Sequence, residues 1–183
     1  ITSIVILILS ILILNLITLQ FVEKQIELNI NEENSRLATS TSQIVNLLLK
    51  NNNLDDLKIQ KVFNTSDLIK EKEIFLIDND GNIIVHKNQK RLKENVRANE
   101  LFNNVLKSVV NNSTFYFENN SNEKVIASMS KLDDYDFFAV SITKYEIGMV
   151  PFKLFKERLV ALSIIIVFIG SVLFFVSNKL IRN

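Results

Sequence analysis

The sequence has no cysteine and no tryptophan, and only one histidine, one proline and three glycines in 183 residues. Without cysteine there is no disulfide framework, no thiolate nucleophile and no zinc–thiolate site. A single histidine cannot build a multi-histidine metal centre. The three glycines are scattered, and neither GxGxxG nor GxxxxGK occurs, so no phosphate-cradling loop is present. A positive excess is missing too. The 21 basic and 20 acidic residues leave a net charge of +1, which argues against a nucleic-acid partner.

The residues that are present are sharply partitioned. Residues 1–22 and 159–176 carry no charged side chain. All 20 acidic residues lie within 23–158, together with 19 of the 21 basic ones. As helices, the two apolar runs rise about 33 Å and about 27 Å, enough to cross a bilayer core. A cleaved signal peptide is the alternative for the first run. It would have a shorter apolar stretch and a small-residue cleavage site, and neither is visible. The expected organisation is a transmembrane helix over 1–22, one domain over 23–158, a second transmembrane helix over 159–176, and a short tail over 177–183. Basic residues flank the second run on both sides, so charge does not fix the orientation. A long loop between two spans is translocated regardless of charge, which favours a domain outside the cytoplasm.

Within the middle segment, residues 23–50 read as a long helix. Ile26, Ile30, Leu37, Ile44 and Leu48 form one apolar stripe at helical spacing. That stripe suits packing on the domain's own sheet, or parallel pairing with a second copy of the chain. A weaker helix follows over 54–63. Residues 74–78 read as a strand, and Asp78, Asp80 and Gly81 form a hairpin turn, because Asp-Gly supplies the positive φ that such turns need. Residues 83–86 return as a second strand. After a charged loop over 87–97, a helix is expected over 98–111, then strands over 114–118, 123–132 and 136–143. An exit helix over 144–158, interrupted near Pro151, leads into the second apolar run. The fold class is therefore α+β, with helices on a five-stranded antiparallel sheet.

Here the sequence resembles a family. The segment IFLIDNDGNIIVHKN (74–88) is similar to the hairpin of single Cache domains, PAS-like extracytoplasmic sensors of bacterial transmembrane receptors. In that family a strand ending in Asp turns through Gly into a strand ending in His, here Asp78, Gly81 and His86. FFAVSITKYEI (137–147) resembles the family's last strand and exit. The tail over 177–183 resembles the entry to a HAMP linker. The resemblance implies a ligand-sensing module of a chemoreceptor, histidine kinase or diguanylate cyclase, with its central domain in the periplasm or outside the cell. It would pass a binding-induced shift through the second transmembrane helix. The Arg…Trp…Tyr signature by which some tandem members bind amino acids is absent, since there is no Trp.

Candidate chemistry is sparse. Placing Gly81 sixth in a calcium loop puts Leu76 first and Lys87 twelfth, which fails the EF-hand pattern. Asp133, Asp134 and Asp136 cluster in a turn with no nucleophile beside them. No catalytic residue, metal or cofactor is expected, and the segment reads as non-enzymatic. Strand alternation separates an apolar face (Phe115, Phe117, Val125, Ala127, Met129) from a mixed one (Tyr116, Ser128, Ser130, Ser141, His86). The apolar face suits the long helix. By the resemblance, the 87–97 loop covers the mixed face and makes a small polar pocket. Arg91 and Arg97 from that loop suit an anionic ligand such as a carboxylate. The expected partners are a small-molecule ligand or a periplasmic binding protein, membrane lipid, and a second copy of the chain. The other reading is a membrane-anchored module that pairs through its long helix and binds nothing small.

Overall fold

A computed structural model describes residues 2–50, 60, 72–92, 94–98, 103, 113–118 and 122–182. Apart from residues 60, 98 and 103, the helices expected over 54–63 and 98–111 lie outside the described residues, as does most of the turn at 119–122. The chain divides into two compact units, residues 1–27 with 149–183, and residues 28–148.

The first unit consists of apolar helix. Helix α1 runs Thr2–Lys50, and its N-terminal part belongs here. Helix α3 runs Val150–Arg182. Pro151 sits in the first turn of α3, where a missing N–H costs nothing. Both helices are long and apolar enough to cross a bilayer. Their outward side chains are bare: Leu14 is 64% exposed and Phe168 69%, as hydrocarbon-facing residues would be. Asn15 Nδ2 donates to Ser163 Oγ at 2.7 Å, and the hydroxyl of Ser163 donates to the Leu159 carbonyl at 2.7 Å. About two turns from this pair, a Cβ added at Gly170 would lie 3.4 Å from a Leu7 methyl, at van der Waals contact.

The second unit is a five-stranded sheet with the rest of α1 laid across one face. The strands are β1 (Glu73–Asp78), β2 (Ile83–His86), β3 (Ser113–Glu118), β4 (Lys124–Lys131) and β5 (Phe137–Lys144). Their spatial order is β2-β1-β5-β4-β3, and every pairing is antiparallel. A short helix α2 (Tyr145–Gly148) closes the unit. The hairpin turn has Gly81 at φ 80°, and Gly81 N donates to the Asp78 carbonyl at 3.0 Å. Both Asp78 oxygens accept from Asn82, each at 2.8 Å, so one aspartate locks the whole turn.

The side of the sheet that α1 covers is opposite to the one expected. The helix lies on the mixed, serine-rich face. Its buried stripe is Ile30, Asn34, Ala38, Ser42 and Val45, with Leu37 and Leu49 packed alongside. Ile30 and Leu37 belong to the expected apolar stripe, but Ile44 is 49% exposed. The reason is hydrogen bonding. Asn34 is fully buried and donates to the Ile126 carbonyl at 3.2 Å. Its Oδ1 accepts from Thr143 at 2.7 Å and from Ser141 at 3.4 Å. Ser42 and Ser130 share a hydrogen bond at 3.1 Å. A serine-rich sheet face must find polar partners when covered, and α1 supplies them. Ile74, Leu76, Val85, Leu132 and Ala139 complete this layer with Val45.

The far face is almost wholly apolar. Phe75, Ile77, Ile83, Phe117, Val125, Ala127, Met129, Phe138, Val140 and Ile142 form one buried cluster, with Phe115 and Val96 packed against it.

Candidate functional site

The polar groups of the far face gather at the β1–β2 end. Glu73 and Phe75 project to this side by alternation, and His86 lies directly across from Phe75 in the β1–β2 pairing. The His86 and Phe75 rings are 5.6 Å apart. His86 Nε2 lies 2.6 Å from Glu73 Oε1. The same carboxylate oxygen accepts from the Arg91 guanidinium, which also donates through Nε to Glu94 at 2.9 Å. Arg91 lies over the Phe75 ring, 5.8 Å from its centroid. Burial pushes the His86 imidazole below its ordinary range, while the Asn88 carbonyl and Glu94 pull the other way.

The loop after β2 is built to hold this arrangement. Asn88 caps a 3-10 turn over Gln89–Arg91, and its side chain accepts from Lys90 N at 3.1 Å. Farther on, Ile83 N donates to the Glu94 carbonyl at 2.8 Å, and Val96 N to the Gly81 carbonyl at 2.8 Å. These bonds cover part of the outer edge of β2. Gln60 covers the rest: its amide donates to the His86 carbonyl at 2.6 Å and accepts from His86 N at 3.2 Å, as a neighbouring strand would.

Only two of the residues singled out in the sequence meet here, His86 and Arg91, and His86 projects from the far face with Phe75, its cross-strand neighbour, not from the mixed face expected of it. Arg97 is occupied at the hairpin, where its guanidinium donates to the Asn79 carbonyl and its Cγ would touch a Cβ added at Gly81. Tyr116 lies on the α1 side, with its hydroxyl 3.1 Å from the Asn31 amide nitrogen. Ser128 bonds Thr114 at 2.7 Å, while Ser130 and Ser141 bond α1 as described. The 87–97 loop therefore does not cover the mixed face; α1 does. The hydroxyls expected to line a pocket between loop and sheet sit under the helix instead. A shallow surface groove lined by Asn31, Glu32, Ser35, Arg36, Thr39, Ser40 and Thr114 runs beside α1 at β3, the opposite edge of the sheet from His86. It is open to solvent, and its charged residues Glu32 and Arg36 are exposed, in contrast to the buried His86.

The sequence alone singled out neither Glu73, Asn88, Gln60 and Glu94 of the cluster nor Asn34 and Ser42 of α1. Glu73 carries a signal, being an acid two residues before a core phenylalanine and so on the same face. Asn34, Ala38 and Ser42 carry another: small or polar residues at four-residue spacing mark a close helix approach.

No protein-family model and no curated protein matches the sequence. Solved structures do. A methyl-accepting chemotaxis protein from Vibrio parahaemolyticus is 8% identical with a TM-score of 0.53; the match covers 72% of this chain and 99% of that one. The chain shares that protein's fold. The periplasmic sensory domain of the Campylobacter jejuni chemoreceptor Tlp1 matches with 15% identity and a TM-score of 0.46, over 54% of this chain and 38% of that one. The ligand-binding domain of Mlp24 with asparagine matches with 12% identity and a TM-score of 0.42, over 55% and 39%. The chain spans about two fifths of the length of these last two structures.

Proposed function

We propose that this chain is the ligand-sensing extracytoplasmic module of a bacterial transmembrane receptor, of single Cache type. The observation that carries the proposal is the combined architecture. A five-stranded sheet of chemoreceptor fold, with a long helix on one face, is inserted between two helices of membrane-spanning length. The receptor sits in the cell membrane with residues 28–148 in the periplasm or outside the cell. Its output is that of a chemoreceptor, a histidine kinase or a diguanylate cyclase.

The route for the signal is short. Strand β5 is central, bonded to β1 and β4, and continues through α2 into α3. A shift of the sheet therefore acts on the chain immediately before the second span. Such a device needs two states that bind the ligand with different affinity. The ligand contact in this proposal is Arg91, part-exposed at the β1–β2 end of the far face. Ser130 and Ser141 hold α1 to the sheet, and Ser128 ties β4 to β3 through Thr114.

The test is a thermal-shift screen of the full chain in lipid nanodiscs against amino acids and small carboxylates. A ligand at a hundredfold excess over its Kd adds about 2.7 kcal/mol of stability, a shift of several degrees. Arg91→Ala should abolish that shift. A chimera that signals normally in response to a compound, while the module binds none directly, would overturn the direct-binding version. A second reading draws support from α1, which leaves Ile44 49% and Leu47 63% exposed next to its own buried stripe. Two copies pairing along that strip would cover both. Ile44→Asp and Leu47→Asp should then yield monomers without unfolding the sheet.

A further inference from the structure

The chain's one histidine is nearly fully buried, and both its ring nitrogens are engaged. Asn88 N lies 2.8 Å from His86 Nδ1 and can only donate. Nδ1 is therefore unprotonated, and the ring hydrogen sits on Nε2, pointing at Glu73. The Asn88 carbonyl oxygen is 3.1 Å from the same Nδ1. One nitrogen thus faces both the donor and the acceptor of a single residue.

That residue starts a run of loop leading to the apolar face. Asn88 caps the turn over Gln89–Arg91. Arg91 returns to Glu73, and the Glu94 carbonyl and Val96 N–H bond the first hairpin. Val96 packs on the far-face cluster. A change at Asn88 therefore bears on part of the packing of that face.

We propose that His86 is a proton sensor: a proton added at Nδ1 expels the Asn88 N–H, turns the Asn88 carbonyl toward the ring, and re-seats residues 88–92 and 94–96 against the sheet. The charged groups facing the ring are Glu73 from β1, and Arg91 and Glu94 from the loop. Gln60 faces its backbone and is neutral. Burial opposes the imidazolium most, the Asn88 carbonyl and Glu94 favour it, and the Glu73 carboxylate 2.6 Å from Nε2 favours it by contact. The proton is taken up on the acid side of the ordinary imidazole value. The input is the proton itself, so the device works without a small ligand and stands apart from the ligand-sensing proposal.

The experiment is an NMR titration of the ligand-free, 13C/15N-labelled full chain in lipid nanodiscs. One histidine gives one imidazole signal. That signal should titrate below pH 6.5, and the amides of Asn88, Arg91 and Val96 should shift with the same midpoint. Glu73→Gln removes a carboxylate that favours the imidazolium, so the ring and loop midpoints should move down together. His86→Gln should flatten the loop's response. A ring that titrates while the three amides stay still would overturn the proposal. So would a ring that stays neutral down to acid unfolding, or a loop that keeps its midpoint in His86→Gln. Should His86→Gln fail to fold, the coincidence of midpoints in the unmodified chain and in Glu73→Gln decides the matter.

Discussion

The two faces of the sheet are buried by different physics. The α1 side is held by directed bonds from Asn34 and Ser42 to the Ile126 carbonyl, Thr143, Ser141 and Ser130. The far side is held by contact among Phe75, Phe117, Phe138 and their aliphatic neighbours, with the Glu73–His86–Arg91 cluster at its β1–β2 end. Apolar contact stabilises in proportion to area and tolerates sliding. A buried amide bonded to three groups permits one register of helix on sheet, because any other leaves it unpaired. The difference is one of specificity: α1 is held in one register on the sheet by directed bonds, and the opposite face is held by buried apolar area.

The largest effect should come from the apolar face. Phe75 is fully buried between Ile77, Val140 and the His86 ring. Phe75→Ala leaves a cavity the sheet cannot close, costing about 3–5 kcal/mol. Chemical denaturation of the 28–148 unit within the full chain measures it. A loss near 1 kcal/mol would show that the face is loosely packed and that the contrast between the two sides is false.

Next comes the polar side. Asn34→Ala leaves the Thr143 hydroxyl and the Ile126 carbonyl without their helix partner, at about 1–3 kcal/mol. Thr143→Val in the Asn34→Ala background should cost less than Thr143→Val alone, since the partner is already gone. A coupling of about 0.5–3 kcal/mol is expected from the cycle. Strict additivity would mean that Asn34 contributes by packing, not by bonding.

These residues also mark how far the sequence could be read. Alternation and the Asp-Gly turn located all five strands, because a period of two and a positive-φ site are local properties. The two helices of membrane length were legible from the absence of charge alone. Which face α1 covers was not legible from hydrophobicity. The more apolar face was the natural guess, yet Asn34 and Ser42 match serines and a threonine on other strands. Complementarity between residues more than 85 positions apart has no local signature. His86 and Arg91 could be flagged as single groups, but their meeting at Glu73 depends on the β1–β2 register and on the return of the loop.

In the membrane unit the contrast should be repeated at smaller scale. Asn15→Leu removes the bond to Ser163. Interhelical hydrogen bonds in membranes average about 0.6 kcal/mol, so the helices should stay paired with slightly more freedom. The absence of native cysteine makes this measurable: Leu7→Cys with Gly170→Cys should cross-link, and Asn15→Leu should slow the cross-linking only modestly. Complete loss would make the asparagine the main fastener of the pair.

The smallest effect belongs to the ion pair at the end of α1. Lys50 Nζ lies 2.6 Å from Asp134 in the β4–β5 turn. The hydrogen bond and charge of Asp134 raise the Lys50 ammonium's pKa, and the bond from Lys50 holds the Asp134 carboxyl below its ordinary value. The signs follow from linkage. A depressed carboxyl stabilises above its ordinary pKa of 3.8 and loses that as pH falls through the folded value; a raised ammonium stabilises below 10.5 and loses that as pH rises through its own. Between these limits the pair is intact and indifferent to pH. Both groups stand in solvent, where water and salt screen the attraction and fixing two side chains offsets it. Lys50→Ala should therefore leave the melting temperature unchanged at pH 7 and 0.15 M salt, in contrast to Asn34→Ala on the same helix. A clear drop would mean that surface charge at the helix end, and not the buried asparagine, sets how α1 is held to the sheet.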